Sequence, residues 1–151
     1  MNVFLLIAAL AAAAYFARVP GPPDREETAP GPDATLATLD RGDALLESAF
    51  TRRISNLQVA GQGTVVKILA DDASGSRHQR FILRLDSGRT LLVSHNIDLA
   101  KRIDALRVGD TVAFHGEYEW NPKGGVIHWT HHDPQGRHPG GWIRHGGQIY
   151  Q

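Results

Sequence analysis

The sequence contains no cysteine, and this absence removes several classes of protein from consideration. A disulfide framework, thiolate coordination of a metal ion and a lipid-modified cysteine all require that residue. An excess of charge of one sign is also absent, because 16 basic side chains balance 16 acidic ones. A formal net charge of zero gives no argument for a global attraction to nucleic acid.

Basic residues are missing ahead of the one long apolar run, Val3 to Ala17. Its length falls between the roughly 20 residues that span a bilayer and the about 7–15 of a signal-peptide core. Small residues at Ala12 to Ala14 favour cleavage and export, whereas the missing basic n-region leaves an uncleaved anchor open. We therefore expect residues 1–18 to be a signal peptide or an N-terminal membrane anchor, which would be the chain's only membrane contact. The domain is then periplasmic, or anchored to the inner membrane and facing the periplasm.

A proline-rich segment separates this run from the rest of the chain. Residues 19–34 consist almost entirely of VPGPPDREETAPGPD, in which prolines and glycines alternate with acidic residues. Such a composition predicts an extended, solvated linker. The remaining residues, 35–151, are enough for a single hydrophobic core, so we expect one domain.

The pattern of this domain predicts an N-terminal helix followed by a small β-barrel. Helical leucine spacing covers Leu36 to Ile54, with Asp43 as a candidate cap. Strand-like and helical stretches then follow in the order TVVKILADD (64–72), HQRFILRL (78–85), RTLLVSHNI (89–97), a short helical DLAKRIDAL (98–106), RVGDTVAFHGEYEW (107–120) and GVIHWTHHDP (125–134). Three strands, a short helix and two strands predict a mainly β, OB-fold-like five-stranded barrel, with an SH3-like barrel as the alternative. The segment GWIRHGGQIYQ predicts a C-terminal hairpin that turns at Gly146-Gly147.

The last two barrel strands predict a hairpin whose register decides which side chains meet. A two-residue turn starting at Pro122 is excluded, because proline cannot adopt the positive φ that such a turn requires. The next register that joins the two apolar faces has a four-residue loop, Pro122 to Gly125, and sets Trp129 in the core opposite Tyr118. Its outer face pairs Glu119 with His128, Glu117 with Thr130, and His115 with His132.

This register predicts a metal site across the hairpin rather than within the histidine-rich segment. On a straight strand His128 and His132 are about 13 Å apart, too far to share one ion. Imidazole and carboxylate suit a divalent transition metal such as zinc, and the predicted ligands are His115, Glu117, His132 and His138. Candidate catalytic groups are His128, Glu119 and His95. The alternative is a half-buried polar face held by Glu–His pairs without a ligand.

A second polar group follows the hairpin from Arg77 to Asn96. Its predicted ligand-binding residues are Arg77, His78, Arg80 and His95. They indicate a basic surface for an anionic small molecule or nucleic acid, with a solvated outer face as the alternative. A two-residue SG turn would set Arg80 opposite His95, and a three-residue turn would set Phe81 there.

Several motifs carry a family resemblance: RHQRFIL, LLVSHNIDLA, GEYEWNPKGG and HWTHHDPQGRHPGGW. With them the chain resembles a bacterial family of small proteins known only as a domain of unknown function, over roughly Val59 to Gln151. The resemblance implies one domain and an N-terminal export or anchoring segment. It implies no activity, substrate or catalytic residue.

A second resemblance concerns staphylococcal-nuclease-type OB domains. The stretches TVVKILADD and LLVSHNIDLA are similar to their first and third strands. This resemblance implies calcium ligands at Asp71 or Asp72 and at Asp98. No glutamate that matches the base of that family follows Asp98, so only the fold is carried over.

Three functions fit these observations. The leading hypothesis is an exported OB-type binding module for an anionic ligand or a metal ion. A metal-dependent phosphodiesterase or nuclease is the second, in which an ion on His115, Glu117 and His132 activates water while Arg80 and His95 hold phosphate. The third is an envelope protein-interaction domain, with Trp142, Tyr150 and the hairpin face against a partner that the sequence does not identify.

Overall fold

A computed structural model describes residues 32–151, with side chains from Ala37 onward. Its elements, in chain order, are α1 (Pro32–Arg52), β1 (Leu57–Ile68), β2 (His78–Arg84), β3 (Thr90–Asn96), β4 (Thr111–Glu119), β5 (Val126–His128), β6 (Trp142–His145) and β7 (Gln148–Tyr150). The predicted signal or anchor segment and most of the predicted linker lie outside the described residues, although residues 32–34 of that linker belong to α1. Within residues 32–151, no helix combines the length and apolar character needed to cross a bilayer.

Five strands close into a barrel because β1 pairs with two partners. It runs antiparallel to β4 from Leu57, opposite Tyr118, to Thr64, opposite Thr111, and it also pairs with β2. The order β1-β2-β3-β5-β4 is completed by a parallel pairing of β3 with β5. This order confirms the predicted OB-like barrel.

β1 begins earlier and ends earlier than predicted, at Leu57–Ile68 rather than at 64–72. The AGQG segment lies inside the strand instead of preceding it. A Cβ on Gly61 would come within 2.8 Å of the Phe114 ring, and one on Gly63 within 2.7 Å of the Arg84 carbonyl oxygen. These glycines therefore permit close approach of β1 to both neighbours, and they do not mark a break.

α1 packs against β1, and its buried face carries Leu46 and Ala49. The predicted cap, Asp43, lies inside the helix and accepts hydrogen bonds at 2.8 Å from the backbone N–H and the hydroxyl of Ser87. That correction follows from a helix that starts at Pro32, so Asp43 faces the β2–β3 loop instead of a helix end. Arg89 donates two bonds to Glu47, at 2.7 and 2.6 Å, which further ties this loop to α1.

No helix follows β3, contrary to the prediction for residues 98–106, which the structure describes as turns and irregular chain. The buried side chain of Gln79 donates to the Ile103 carbonyl at 3.0 Å and accepts from the Ile103 N–H at 2.8 Å. The ring of His95 donates from Nε2 to the Lys101 carbonyl at 3.1 Å. Two polar side chains of the barrel interior thus bind the Ile103 N–H and the Lys101 carbonyl, which an α-helix over residues 98–106 would pair internally.

The C-terminal hairpin is confirmed. Strands β6 and β7 pair through His145 opposite Gln148, and β6 also pairs with β4. Gly146 and Gly147 have φ values of 55° and 78°, the positive φ values at both central residues that a two-residue turn needs.

Candidate functional site

The hairpin of β4 and β5 brings together the polar residues of two strands in a register that differs from the predicted one. Glu117, not Glu119, lies opposite His128, and Tyr118 lies opposite Ile127. The shift is two residues, so the apolar faces still meet and only the partners on the outer face change.

The predicted register is wrong because Trp120 leaves the strand ladder. Its backbone N–H donates to Ser55 Oγ at 2.9 Å, and its indole Nε1 donates to the Phe50 carbonyl at 3.1 Å, near the end of α1. The loop therefore starts at Trp120 and ends at Gly125, which has a φ of 94°. A Cβ at Gly125 would lie 2.1 Å from the Tyr118 ring, so the loop passes close against that ring.

Trp129 ends β5 and is not a core residue, which corrects a second prediction. Its φ of 52° is rare for a bulky residue and turns the chain away from the strand direction. The indole stacks on the His138 ring at 4.3 Å and lies 4.8 Å from the His128 ring. Thr130 takes the interior position instead and bonds to His95 Nδ1 at 2.8 Å.

The corrected register assembles a three-residue cluster from Glu117, Glu119 and His128. One donor atom from each residue lies within 4.8 Å of the others, and this cluster is the one such group of three among the described side chains. Glu117 and Glu119 share the outer face of β4, and His128 faces Glu117 from β5. His128 Nε2 is buried and has no hydrogen-bond partner within the described part of the chain.

Burial makes this cluster electrostatically unfavourable in its charged form. It raises the pKa of Glu117, and the nearby Glu119 carboxyl acts in the same direction. Burial also lowers the pKa of His128. The closest Glu117–His128 contact, Oε1 to Nε2, is 3.7 Å, which is too long for a hydrogen bond. The two residues are therefore poorly stabilised by each other, although their ligand atoms converge.

The segment from Trp129 to Gly141 is organised by Asp133. This carboxylate accepts hydrogen bonds from the backbone N–H groups of Gln135, Arg137 and His138. These bonds, of which the one from Gln135 has the largest effect, lower the pKa of Asp133 to about 2. The segment closes where the Gly141 N–H donates to the His131 carbonyl at 2.9 Å.

A cleft of about 510 Å³ opens beside the cluster. Its walls come from the start of β2, the end of β3 and the segment that follows β5. The lining residues are Ser76, His78, Asn96, Leu99, His128, Trp129, His131, Asp133, Arg137 and His138. His128 belongs both to the cluster and to the cleft wall, so the two features adjoin.

The predicted metal quartet of His115, Glu117, His132 and His138 is not assembled as one set. No three of these residues have ligand atoms within 4.8 Å in the described chain. His115 bonds to the Gly140 carbonyl at 3.1 Å, and His132 is exposed. The reason is that the strand ends at His128, so His132 never reaches the position opposite His115.

The predicted anion-binding residues do not form one surface either. Arg77 pairs with Asp98 at 2.7 Å, and Arg80 donates to the Ala70 carbonyl at 3.0 and 3.2 Å. His95 is fully buried, while His78 lines the cleft. Neither predicted partner of His95 is observed, because Gln79 lies opposite it. The Leu85 N–H donates to the Arg89 carbonyl at 2.8 Å, which leaves residues 86–88 in the turn.

The aspartates of the nuclease resemblance are each bound by an arginine. Asp71 accepts from Arg102, Asp98 accepts from Arg77, and Asp72 lies 3.6 Å from Arg80. They do not converge as a cation site in the described residues.

Two buried polar residues near the site escaped prediction from the sequence. Gln79 reads as an ordinary strand residue, yet it is buried and bonds Ile103. Asp133 reads as the end of a strand, yet it holds a loop. The Asp-Pro pair at 133–134 was the one signal in the sequence that a turn begins there.

Comparison with known proteins gives a family and no activity. No curated protein matches the chain. The matching family model covers residues 34–151, and thus nearly all of α1 and the whole barrel. It confirms the resemblance found in the motifs between Val59 and Gln151. The chain therefore belongs to the family described as "Protein of unknown function (DUF3465)".

Proposed function

We propose that this domain is a binding module for a divalent transition-metal ion, held by Glu117, Glu119 and His128 on the outer face of the β4–β5 hairpin. The observation that carries the proposal is the convergence of three ligand atoms within 4.8 Å around a buried His128 Nε2 that lacks a partner in the described chain. Buried polar atoms are normally satisfied, and one left without a partner calls for an explanation.

A dication would account for the electrostatics of this cluster. Two carboxylates this close repel each other, and burial opposes the charged form of Glu117. A bound ion favours deprotonated carboxylates and neutral imidazole, which are the forms that ligate metals. Two carboxylates with one imidazole suit zinc, manganese or iron(II) better than a soft ion, since no thiolate is present.

The test is metal binding by the full chain, purified without a histidine tag and in detergent if it is membrane-bound. We expect one tightly bound Mn²⁺ per chain by elemental analysis and calorimetric titration. The variants expected to lower the metal affinity, each by more than about tenfold, are Glu117→Gln, Glu119→Gln and His128→Gln. Loss of a residue that only hydrogen-bonds a metal ligand already costs about tenfold or more, and loss of the ligand itself should cost at least as much.

His132→Gln is the matched control, since His132 is exposed, adjacent in sequence and outside the cluster. It should bind the ion like the unmodified chain. The proposal is wrong if the unmodified chain binds no ion after supplementation, or if His132→Gln weakens binding as much as His128→Gln does.

The phosphodiesterase and protein-interaction hypotheses stay predictions. Hydrolysis would need the same ion with water in a coordination position that the three residues leave open. No contact among residues 37–151 favours either hypothesis over binding alone.

A further inference from the structure

We infer that the cleft beside the cluster is a second metal site, in which His131 and His138 bind a transition-metal ion that prefers imidazole, such as Ni²⁺ or Cu²⁺. This site is separate from Glu117, Glu119 and His128, and its ligands come from the segment after β5. It does not require the first site to be occupied.

The cleft histidines are oriented as metal-binding histidines are. His78, His131 and His138 each have Nδ1 at 2.8 Å from a main-chain carbonyl, those of Ser76, His132 and Pro139. A carbonyl only accepts hydrogen bonds, so Nδ1 carries the proton and the neutral ring keeps its lone pair on Nε2. Histidine ligands of metals typically donate their second ring nitrogen in this way, which fixes the tautomer and the ring orientation.

His131 and His138 are also spaced for a shared ion. Their ring centroids are 5.3 Å apart and their planes are at 84°, an edge-to-face arrangement. Two imidazoles bound to one ion at about 2.0–2.1 Å in tetrahedral geometry have centroids separated by about 5 Å. His131 is 3% exposed and the His138 side chain is 8% exposed, and both rings line the cleft.

Asp133 supplies the negative charge that a cation needs. Its carboxylate oxygen lies 3.8 Å from His138 Nε2. Asp133, His131 and His138 do not bring three ligand atoms within 4.8 Å of one another in the described chain, so Asp133 contributes its charge and not a ligand. The carboxylate is held in place by three backbone N–H groups, so it supports the site without having to move. The imidazole lone pairs and this carboxylate favour a cation beside His131 and His138, and Arg137 also lines the cleft.

The packing of Trp129 stabilises the ring of His138. The indole stacks on that ring at 4.3 Å with an interplanar angle of 11°. Trp129 holds this position with a φ of 52°, a strained value of the kind that persists at functional sites when the surroundings enforce it. The stacked pair limits the rotamers of His138 before any ion binds, which lowers the entropy cost of binding.

The two sites are distinguishable by the ion used. Mn²⁺ prefers carboxylates and should bind only the first site, whereas Ni²⁺ and Cu²⁺ prefer imidazole and should bind the cleft. Calorimetry on the full chain in the Glu117→Gln/Glu119→Gln background should therefore show no Mn²⁺ and still one Ni²⁺. Electron paramagnetic resonance of Cu²⁺ in that background should show two coordinated imidazole nitrogens.

In the double-variant background, His138→Gln should weaken Ni²⁺ binding by more than about tenfold and leave one imidazole nitrogen on Cu²⁺. As a single variant with Glu117 and Glu119 intact, His138→Gln should still bind Mn²⁺. His138→Phe keeps a ring to stack on Trp129 and should lose Ni²⁺ equally, which separates ligation from packing. His132→Gln is the matched control and should leave Ni²⁺ binding unchanged.

The inference fails if Ni²⁺ does not bind in the double-variant background, or if both His138 variants bind Ni²⁺ normally. If the unmodified chain binds no Mn²⁺, that result contradicts the proposed site on Glu117, Glu119 and His128 and leaves the cleft site unaffected.

Discussion

At the scale of single residues, the interior of this barrel contains a histidine. His95 is fully buried and accepts from the Thr130 hydroxyl while donating to the Lys101 carbonyl. Burial lowers its pKa to about 4, with His131 and His78 acting in the same direction and the Lys101 bond against it. Because both ring nitrogens are occupied by protein groups, His95 fits a structural role better than its predicted catalytic one.

The burial of His95 predicts a stability loss in mild acid. The folded pKa of about 4 lies below the unfolded value of 6.5, so between these values the unfolded chain binds the extra proton. The contribution of neutral His95 to the free energy of unfolding is fully present above pH 6.5 and is lost as the pH falls toward 4. The loss is on the order of 3 kcal/mol. Urea unfolding at pH 7.5, 5.5 and 4.5 measures it. His95→Gln should flatten much of this slope, and equal slopes in the two proteins would contradict the assignment.

At the scale of elements, α1 contacts the barrel more closely than its sequence suggests. Gly42 lies in the middle of the helix, where glycine is normally unfavourable. A Cβ on Gly42 would lie 1.8 Å from the Ala60 carbonyl oxygen of β1. The glycine therefore allows the helix backbone to approach the strand, and α1 forms part of the domain's packing.

Gly42→Ala tests this contact, because helix propensity and packing predict opposite signs. Alanine favours an isolated helix by about 1 kcal/mol, whereas the clash should reduce the free energy of unfolding by about 1–3 kcal/mol. Ser48→Ala, at an exposed position of the same helix, is the control and should be neutral or slightly stabilising. Chemical unfolding of the three proteins gives the comparison, and a stabilised Gly42→Ala would show that α1 does not pack on β1 in this way.

At the scale of the whole molecule, an apolar run and a proline-rich segment precede the barrel domain in the sequence. The barrel and α1 account for the described buried cluster, from Leu46 to Ile143. We keep export as a prediction, based on the composition of Val3 to Ala17 alone.

Fractionation of bacterial cells that express the full chain tests this prediction. The protein should be mostly in the membrane or periplasmic fraction and be cleaved by protease in spheroplasts. Leu6→Arg with Ala9→Arg should retain it in the cytosol, because charges at the centre of an apolar run oppose insertion. Thr28→Arg with Ala29→Arg adds the same charge in the linker and should not change the fraction. Cytosolic localisation of the unmodified chain would contradict export.

Much of the fold was predictable because it depends on local pattern. Alternation marked the buried face of β2 with Phe81 and Leu83, and the glycine pair at 146–147 marked the last hairpin. The missing helix after β3 was not predictable, because its sequence does have helical spacing. Gln79, distant in sequence, binds the Ile103 backbone that a helix would have needed.

The residues of the candidate site were mostly visible in the sequence, but their partners were not. Composition and motifs by themselves determined the family, the strand order and the gathering of acid and imidazole on one hairpin. Tertiary structure decided that Glu117 faces His128 and that Trp129 leaves the core. The physical reason is that the register depends on Trp120 bonding to Phe50 at the end of α1, a contact between residues far apart in the chain. Strand alternation conveys which face a side chain occupies, and only long-range contacts select among the registers that share that face.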